Sequence, residues 1–267
     1  MEDIFRADAF SDKVVLVTGA TSEIGAETAR QFAAHGATVM LSGRDPERGA
    51  TLRDEITGAG GKAELALADL RSSEACDGVA ARTVACFGRI DIFFNNAGVL
   101  RSAPLDQITD EDWHLVIDTN LHAGFYMARA VLRVMKEQRS GSIVNMASDA
   151  GLQGYQNFAA YSAAKAGIIH MTRGMALEVA DQNIRVNVIC PGEIDTPMQQ
   201  KGYAKLGLGR EEMLEAIAST IPMKRHGRTE EIARAVMFMA SDAAPFATGS
   251  IYSVDGGAAA GRSFATD

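Results

Sequence analysis

Seven short runs rich in β-branched or apolar residues recur along this chain, separated by longer Ala-rich segments of helical period, and this alternation leaves few folds open. The runs are VVLVT (14–18), TVMLS (38–42), AELAL (63–67), IDIFF (90–94), SIVNM (142–146), RVNVI (185–189) and SIYSV (250–254). Strands joined through helices pair in parallel, so the repeat predicts βαβ units and an α/β, doubly wound parallel sheet. Several runs are apolar on both faces, as expected of strands covered by helices on either side. Helix starts are legible too. Asp45 precedes Pro46 as an N-cap, and Thr109 heads the acidic turn Asp110, Glu111, Asp112.

The 267 residues suit one large α/β domain or two small ones. Because no linker, repeat or low-complexity tract interrupts the series, residues 1–267 are expected to form a single domain that binds a dinucleotide and carries the catalytic groups. The weakly patterned stretch from Pro197 to Met223, with Gly202, Gly207 and Gly209, suggests a substrate lid at about 195–222. With 26 basic and 34 acidic residues the formal charge is −8, which argues against a nucleic-acid partner. No apolar run approaches the ~18 residues of a membrane span, and MEDIFRADAFSD lacks the form of an export signal. Cys76, Cys86 and Cys190 form no CxxC pair, which points to a reducing, cytoplasmic setting. The five histidines show no ligand spacing, so no metal is expected.

TGATSEIG, Thr18 to Gly25, follows the first run and leads into a helical segment. A strand, a glycine turn and a helix start place backbone N–H groups and a helix dipole against a pyrophosphate. The second run ends in Ser42, Gly43, Arg44 and Asp45. Gly43 stands where an acidic residue would hold an adenosine ribose, and Arg44 can fork onto a 2′-phosphate. This favours NADP(H), with Thr21 and Ser22 assisting. NAD(H) is the alternative if Asp45 turns from its capping role toward the ribose.

Beyond the fifth run stand Ser148, Tyr161 and Lys165, within SDAGLQGYQNFAAYSAAK. Positions four apart share a helix face, so Lys165 is expected beside the Tyr161 phenol. A nearby ammonium lowers a phenol's pKa from ~10 and makes it usable as an acid and base at neutrality. Tyr155 has Ala159, not a cation, four residues on. Glu193 could face a substrate or solvent.

These pieces, in this order, resemble the single-domain, Ser-Tyr-Lys type of the short-chain dehydrogenase/reductase superfamily over nearly the whole chain. The similarity also takes in Asp69, Asn95-Asn96-Ala97-Gly98, Asn120, Pro191-Gly192 to Thr196, and Asp255-Gly256-Gly257. The resemblance implies a Rossmann-like sheet in the order 3-2-1-4-5-6-7 and a homotetramer or dimer. It also implies hydride transfer between a nicotinamide and a ketone, an aldehyde or a secondary alcohol. By the same resemblance, Ser148 holds the substrate oxygen, Tyr161 exchanges its proton, Lys165 also grips the nicotinamide ribose, and Asn120 positions a relaying water. Asp69 and Leu70 fall at the adenine, Asn96, Ala97 and Gly98 along the cofactor channel, and Ile194 and Thr196 at the carboxamide. Gly19, Thr21, Ser22, Glu23, Ile24 and Gly25 form the glycine turn, and Pro191 and Gly192 complete the cofactor contacts.

One position departs from the pattern: Glu23 replaces the middle glycine of TGxxxGxG. A carboxylate there strains the backbone if the position needs positive φ, or weakens pyrophosphate binding if it points inward. A catalytically silent dinucleotide-binding sensor or scaffold, and an epimerase or dehydratase with retained cofactor, stay open as alternatives.

Overall fold

The computed structural model describes residues 4–203 and 209–261. Seven parallel strands form one sheet in the order β3-β2-β1-β4-β5-β6-β7. In chain order they are β1 (Val14–Thr18), β2 (Thr38–Gly43), β3 (Lys62–Leu67), β4 (Ile92–Asn95), β5 (Gly141–Met146), β6 (Ile184–Pro191) and β7 (Ile251–Val254). The β1 run matches its expected bounds, and β4 starts two residues late because Ile90 and Asp91 precede the ladder.

Strand alternation divides the core into two layers. Val15, Val17, Val39, Leu41, Ile92, Phe94 and Val144 point to one face, while Leu16, Met40, Phe93 and Ile143 point to the other. The first face is covered by α1 (Glu23–Ala34), α2 (Pro46–Gly58) and α9 (Thr229–Ala240). The second carries α3 (Ser73–Phe87), α5 (Ala123–Gln138) and α6 (Ala159–Val179). Every residue of the central strands β1 and β4 is buried, whereas the edge strands β3 and β7 are partly exposed. This is a doubly wound, Rossmann-like arrangement.

Helix starts follow their side chains. Asp45 caps α2 by accepting from the Glu47 and Arg48 backbone N–H groups at 3.1 and 3.0 Å. Thr109 caps α4 (Asp110–Ile117) by accepting from Asp112 N–H at 3.1 Å. Between α4 and α5 the chain makes a π-helical turn, Asp118–His122, which the apolar pattern does not signal. Past β6 the weakly patterned stretch contains two helices, α7 (Pro197–Tyr203) and α8 (Arg210–Thr220). Gly207, part of the lid expectation, lies outside the described residues. No described helix is long and apolar enough to cross a membrane.

Candidate active site

The carboxyl ends of β1, β2, β4, β5 and β6 open onto one cleft of about 570 Å³. That is where an open α/β sheet leaves a crevice between diverging connections. Of the residues assigned from sequence to catalysis or cofactor contact, all but Gly25 line this cleft. Gly25 is buried against the turn, and a Cβ on it would come within 2.3 Å of the Gly19 carbonyl oxygen. Its place is therefore in packing α1 onto the turn.

At one end, Gly19 takes φ +62°, a conformation that favours glycine. Ser22 caps α1, accepting from Gly25 N–H at 3.3 Å. The Asn96 amide donates to the carbonyls of Thr18 at 3.0 Å and Gly19 at 3.2 Å and to Ser22 Oγ at 3.2 Å, so it fixes the turn as well as lining the cleft. Glu23 opens α1 in helical conformation and is absent from the positive-φ residues, so the strain expected of it does not arise. Its carboxylate accepts from Arg48 at 3.3 Å. Arg44 is exposed on the cleft rim and makes no ion pair among the described residues. Asp69 is bound by Arg71 at 2.5 Å, and this partner holds its carboxyl down at about 2.

At the other end, Ser148, Tyr161, Lys165 and Asn120 converge. Lys165 is buried, donates to the Met146 carbonyl at 3.1 Å and lies 5.4 Å from the centroid of the Tyr161 ring. One helix face does bring the two side chains together, but the expected effect on acidity is reversed. Burial pushes the Tyr161 phenol well above its ordinary value, Ser148 draws it down by hydrogen bonding, and Asp149 and Glu193 add to the rise. Burial also lowers Lys165 to about 8. Desolvation is the leading cause for both groups, because both leave water for the same cleft wall.

The π-helical turn presents Asn120 with its Nδ2 donating to the carbonyls of Val99 at 2.8 Å and Val116 at 2.9 Å. Its Oδ1 is buried without a partner. A Cβ on Gly98 would lie 2.7 Å from that oxygen and 3.5 Å from Lys165 Nζ, so the absence of a side chain at 98 keeps the space between them open. An orphaned acceptor beside an ammonium, at the inner end of a glycine-cradled cleft, fits a bound dinucleotide with an ordered water.

Residues 19–259 match the sequence family described as enoyl-(acyl carrier protein) reductase. The chain belongs to the short-chain dehydrogenase/reductase superfamily. Within that superfamily it is 40% identical over 245 residues to 3-oxoacyl-(acyl-carrier-protein) reductase FabG of Thermotoga maritima, covering 92% of this chain and 97% of the relative. Among solved structures, levodione reductase superimposes with a TM-score of 0.92 at 35% identity, covering 95% of this chain and 100% of that one. A variant of actinorhodin polyketide ketoreductase, crystallised with NADPH, gives a TM-score of 0.90 at 34% identity over 95% and 99% of the two chains. As a short-chain dehydrogenase/reductase the protein is a nicotinamide-dependent oxidoreductase acting on CH–OH or C=O groups.

Sequence reasoning did not single out several lining residues. Arg48 lies one turn into α2, where charge alone reads as a solvated face. Asp149, which is buried, pairs with the half-buried Tyr155, whose hydroxyl donates to the Asp149 carboxylate. Gln199 lines the cleft from α7. Of Arg48, Asp149 and Gln199, only Asp149 offers a sequence signal, its adjacency to Ser148, and Tyr155 reads only as a phenol with no cation one helical turn on.

Proposed function

We propose that this enzyme catalyses reversible reduction of a ketone or aldehyde to an alcohol with NADP(H) as the preferred cofactor and NAD(H) as the weaker one. The observation that carries it is the convergence of Ser148, Tyr161, Lys165 and Asn120 at one end of a cleft whose other end holds the Gly19 turn and Arg44. When bound, the nicotinamide dinucleotide supplies the hydride. The chain supplies everything else. Gly19, Thr21, Ser22 and Ile24 would hold the pyrophosphate, Asp69 and Leu70 the adenine, and Ala97, Gly98, Pro191, Gly192, Ile194 and Thr196 the path toward the nicotinamide. Arg44, which makes no ion pair among the described residues, would meet a 2′-phosphate.

Ser148 would hold the substrate oxygen and Tyr161 would give its proton to it. A phenol kept protonated by burial is in the form that reduction requires. Lys165, mostly protonated at neutrality, would grip the nicotinamide ribose and restore the proton through a water held by Asn120 Oδ1. The relatives' names support a carbonyl substrate, and the ketoreductase crystallised with NADPH supports the cofactor preference. A single catalytic domain, a cover formed by about 195–222, a homotetrameric or dimeric assembly and cytoplasmic residence complete this reading.

A panel of ketones and alcohols, followed by nicotinamide absorbance with each cofactor, tests it. Net cofactor oxidation with a ketone and a higher kcat/KM for NADPH are expected. Bound cofactor without net turnover of any panel member would contradict the assignment and point to a scaffold or an epimerase.

A further inference from the structure

Beside the proton-donating end, the cleft wall is unusually rich in hydrogen-bond acceptors. Asp149 is 4% exposed, and its two carboxylate oxygens accept from Ser148 Oγ at 3.1 Å and from the Tyr155 hydroxyl. A carboxylate has about four lone-pair sites, so acceptor capacity is left over. Glu193, at the end of β6, accepts from the Gln199 Nε2 at 2.5 Å. That bond fixes the Gln199 amide with its nitrogen toward Glu193 and its oxygen away. Gln199 is 7% exposed, and its Oε1 is buried with no hydrogen-bond partner. All five side chains line the same cleft as Tyr161, and both carboxylates are close enough to act on its phenol.

A buried amide oxygen left unpaired is costly, and neighbouring carboxylates repel further negative charge. Of the cations that line the cleft, Arg44 stands at the opposite end, by the Gly19 turn, and the others are engaged elsewhere. Lys165 is turned to the Met146 carbonyl, and Arg101 is bound to Asp112 at 3.0 Å. Arg48 and Arg71 are bound to Glu23 and Asp69. No group of three or more His, Cys, Asp or Glu side chains among the described residues is arranged to hold a metal ion, so the wall is not explained as a cation site.

We infer that Asp149, Glu193 and Gln199 form a substrate subsite for a hydrogen-bond donor, so that the substrate is a ketone or alcohol bearing a hydroxyl or ammonium substituent, and not one bearing a carboxylate. This rests on the oxidoreductase reading above and narrows it. The donor group would pair with Gln199 Oε1 and a remaining lone pair of Asp149, while Ser148, whose single hydroxyl proton lies on Asp149, would turn it to the reacting oxygen beside Tyr161. A carboxylate-bearing analogue would bring a third negative charge against Asp149 and Glu193. An acyl thioester offers only acceptors near its carbonyl, so it would leave Gln199 Oε1 unpaired.

The test is steady-state kinetics of the purified full chain on cyclohexanone and on cyclohexanones carrying a hydroxyl, an amino or a carboxylate group at ring position 3 or 4, with a 3-oxoacyl thioester as a further arm. At least one hydroxylated or amino member should exceed cyclohexanone in kcat/KM by about tenfold or more, and the carboxylated members should fall below it by a similar factor. Q199L and E193Q should each shrink the ratio of hydroxylated to unsubstituted ketone to within about threefold, a change in selectivity that general damage to the fold does not produce. Equal rates across the series, a preference for the carboxylated ketones or the thioester, or an unchanged ratio in both variants would overturn the subsite while leaving the ketoreductase reading intact. If no ketone oxidises the cofactor at all, that reading falls and takes the subsite with it.

Discussion

The Glu23 carboxylate sits 3.3 Å from a guanidinium nitrogen of Arg48, linking the first turn of α1 to the first turn of α2. The side chain that stands where the family pattern has a glycine is therefore tied to a cation, and both partners line the cleft. Both partners are at least a third exposed, so the pair itself adds little stability. Its effect is on charge. Arg48 is paired, whereas Arg44, the residue proposed to meet a 2′-phosphate, makes no ion pair among the described residues.

Glu23→Gln should release Arg48 and tighten NADPH binding roughly three- to tenfold at low salt, with NADH affinity nearly unchanged. Titrations of both reduced cofactors by nicotinamide fluorescence measure this. Equal gains for both cofactors would mean that Glu23 acts on the pyrophosphate instead.

Arg44→Ala should raise the Kd for NADPH by roughly tenfold or more and leave that for NADH within about twofold. The same titration applies, and equal losses would remove Arg44 from the phosphate site. Gly25→Ala is the contrast: its Cβ would stand 2.3 Å from the Gly19 carbonyl oxygen, so the turn must shift. Both cofactors should then bind more weakly by similar factors.

Much of this was legible in the sequence because strands and turns announce themselves locally. The seven runs, the Asp45 and Thr109 caps and the ordered motif residues needed only period, capping chemistry and spacing. What could not be read depends on three-dimensional surroundings. Spacing put Lys165 beside Tyr161, but not the burial that raises the phenol and lowers the amine. The π-helical turn at Asn120 adds one residue to a helical repeat, which apolar periodicity does not resolve. Asp149 and Gln199 stand 50 residues apart and meet only through the ends of β5 and β6.

Lys165 carries a stability prediction. Its pKa falls from 10.5 to about 8 on folding. Below pH ~8 both folded and unfolded chains hold the proton, and the desolvation penalty, on the order of 3 kcal/mol, acts in full. As pH rises from ~8 to ~10.5 the folded chain releases its proton first, and the penalty fades. Lys165→Met loses the bond to the Met146 carbonyl but removes the buried charge, so it should be about 1–2 kcal/mol more stable than wild type at pH 7. Urea unfolding at pH 7 and pH 10 should show that gap shrinking. A gap independent of pH would place the charge in water.

Tyr161→Phe keeps the ring and removes only the hydroxyl, so it separates binding from chemistry. The most direct measurement is its NADPH Kd together with kcat on the best ketone of the panel. A Kd within about twofold of wild type and a kcat lower by roughly a hundredfold or more are predicted. A near-wild-type kcat would contradict the assignment of Tyr161 as the proton donor.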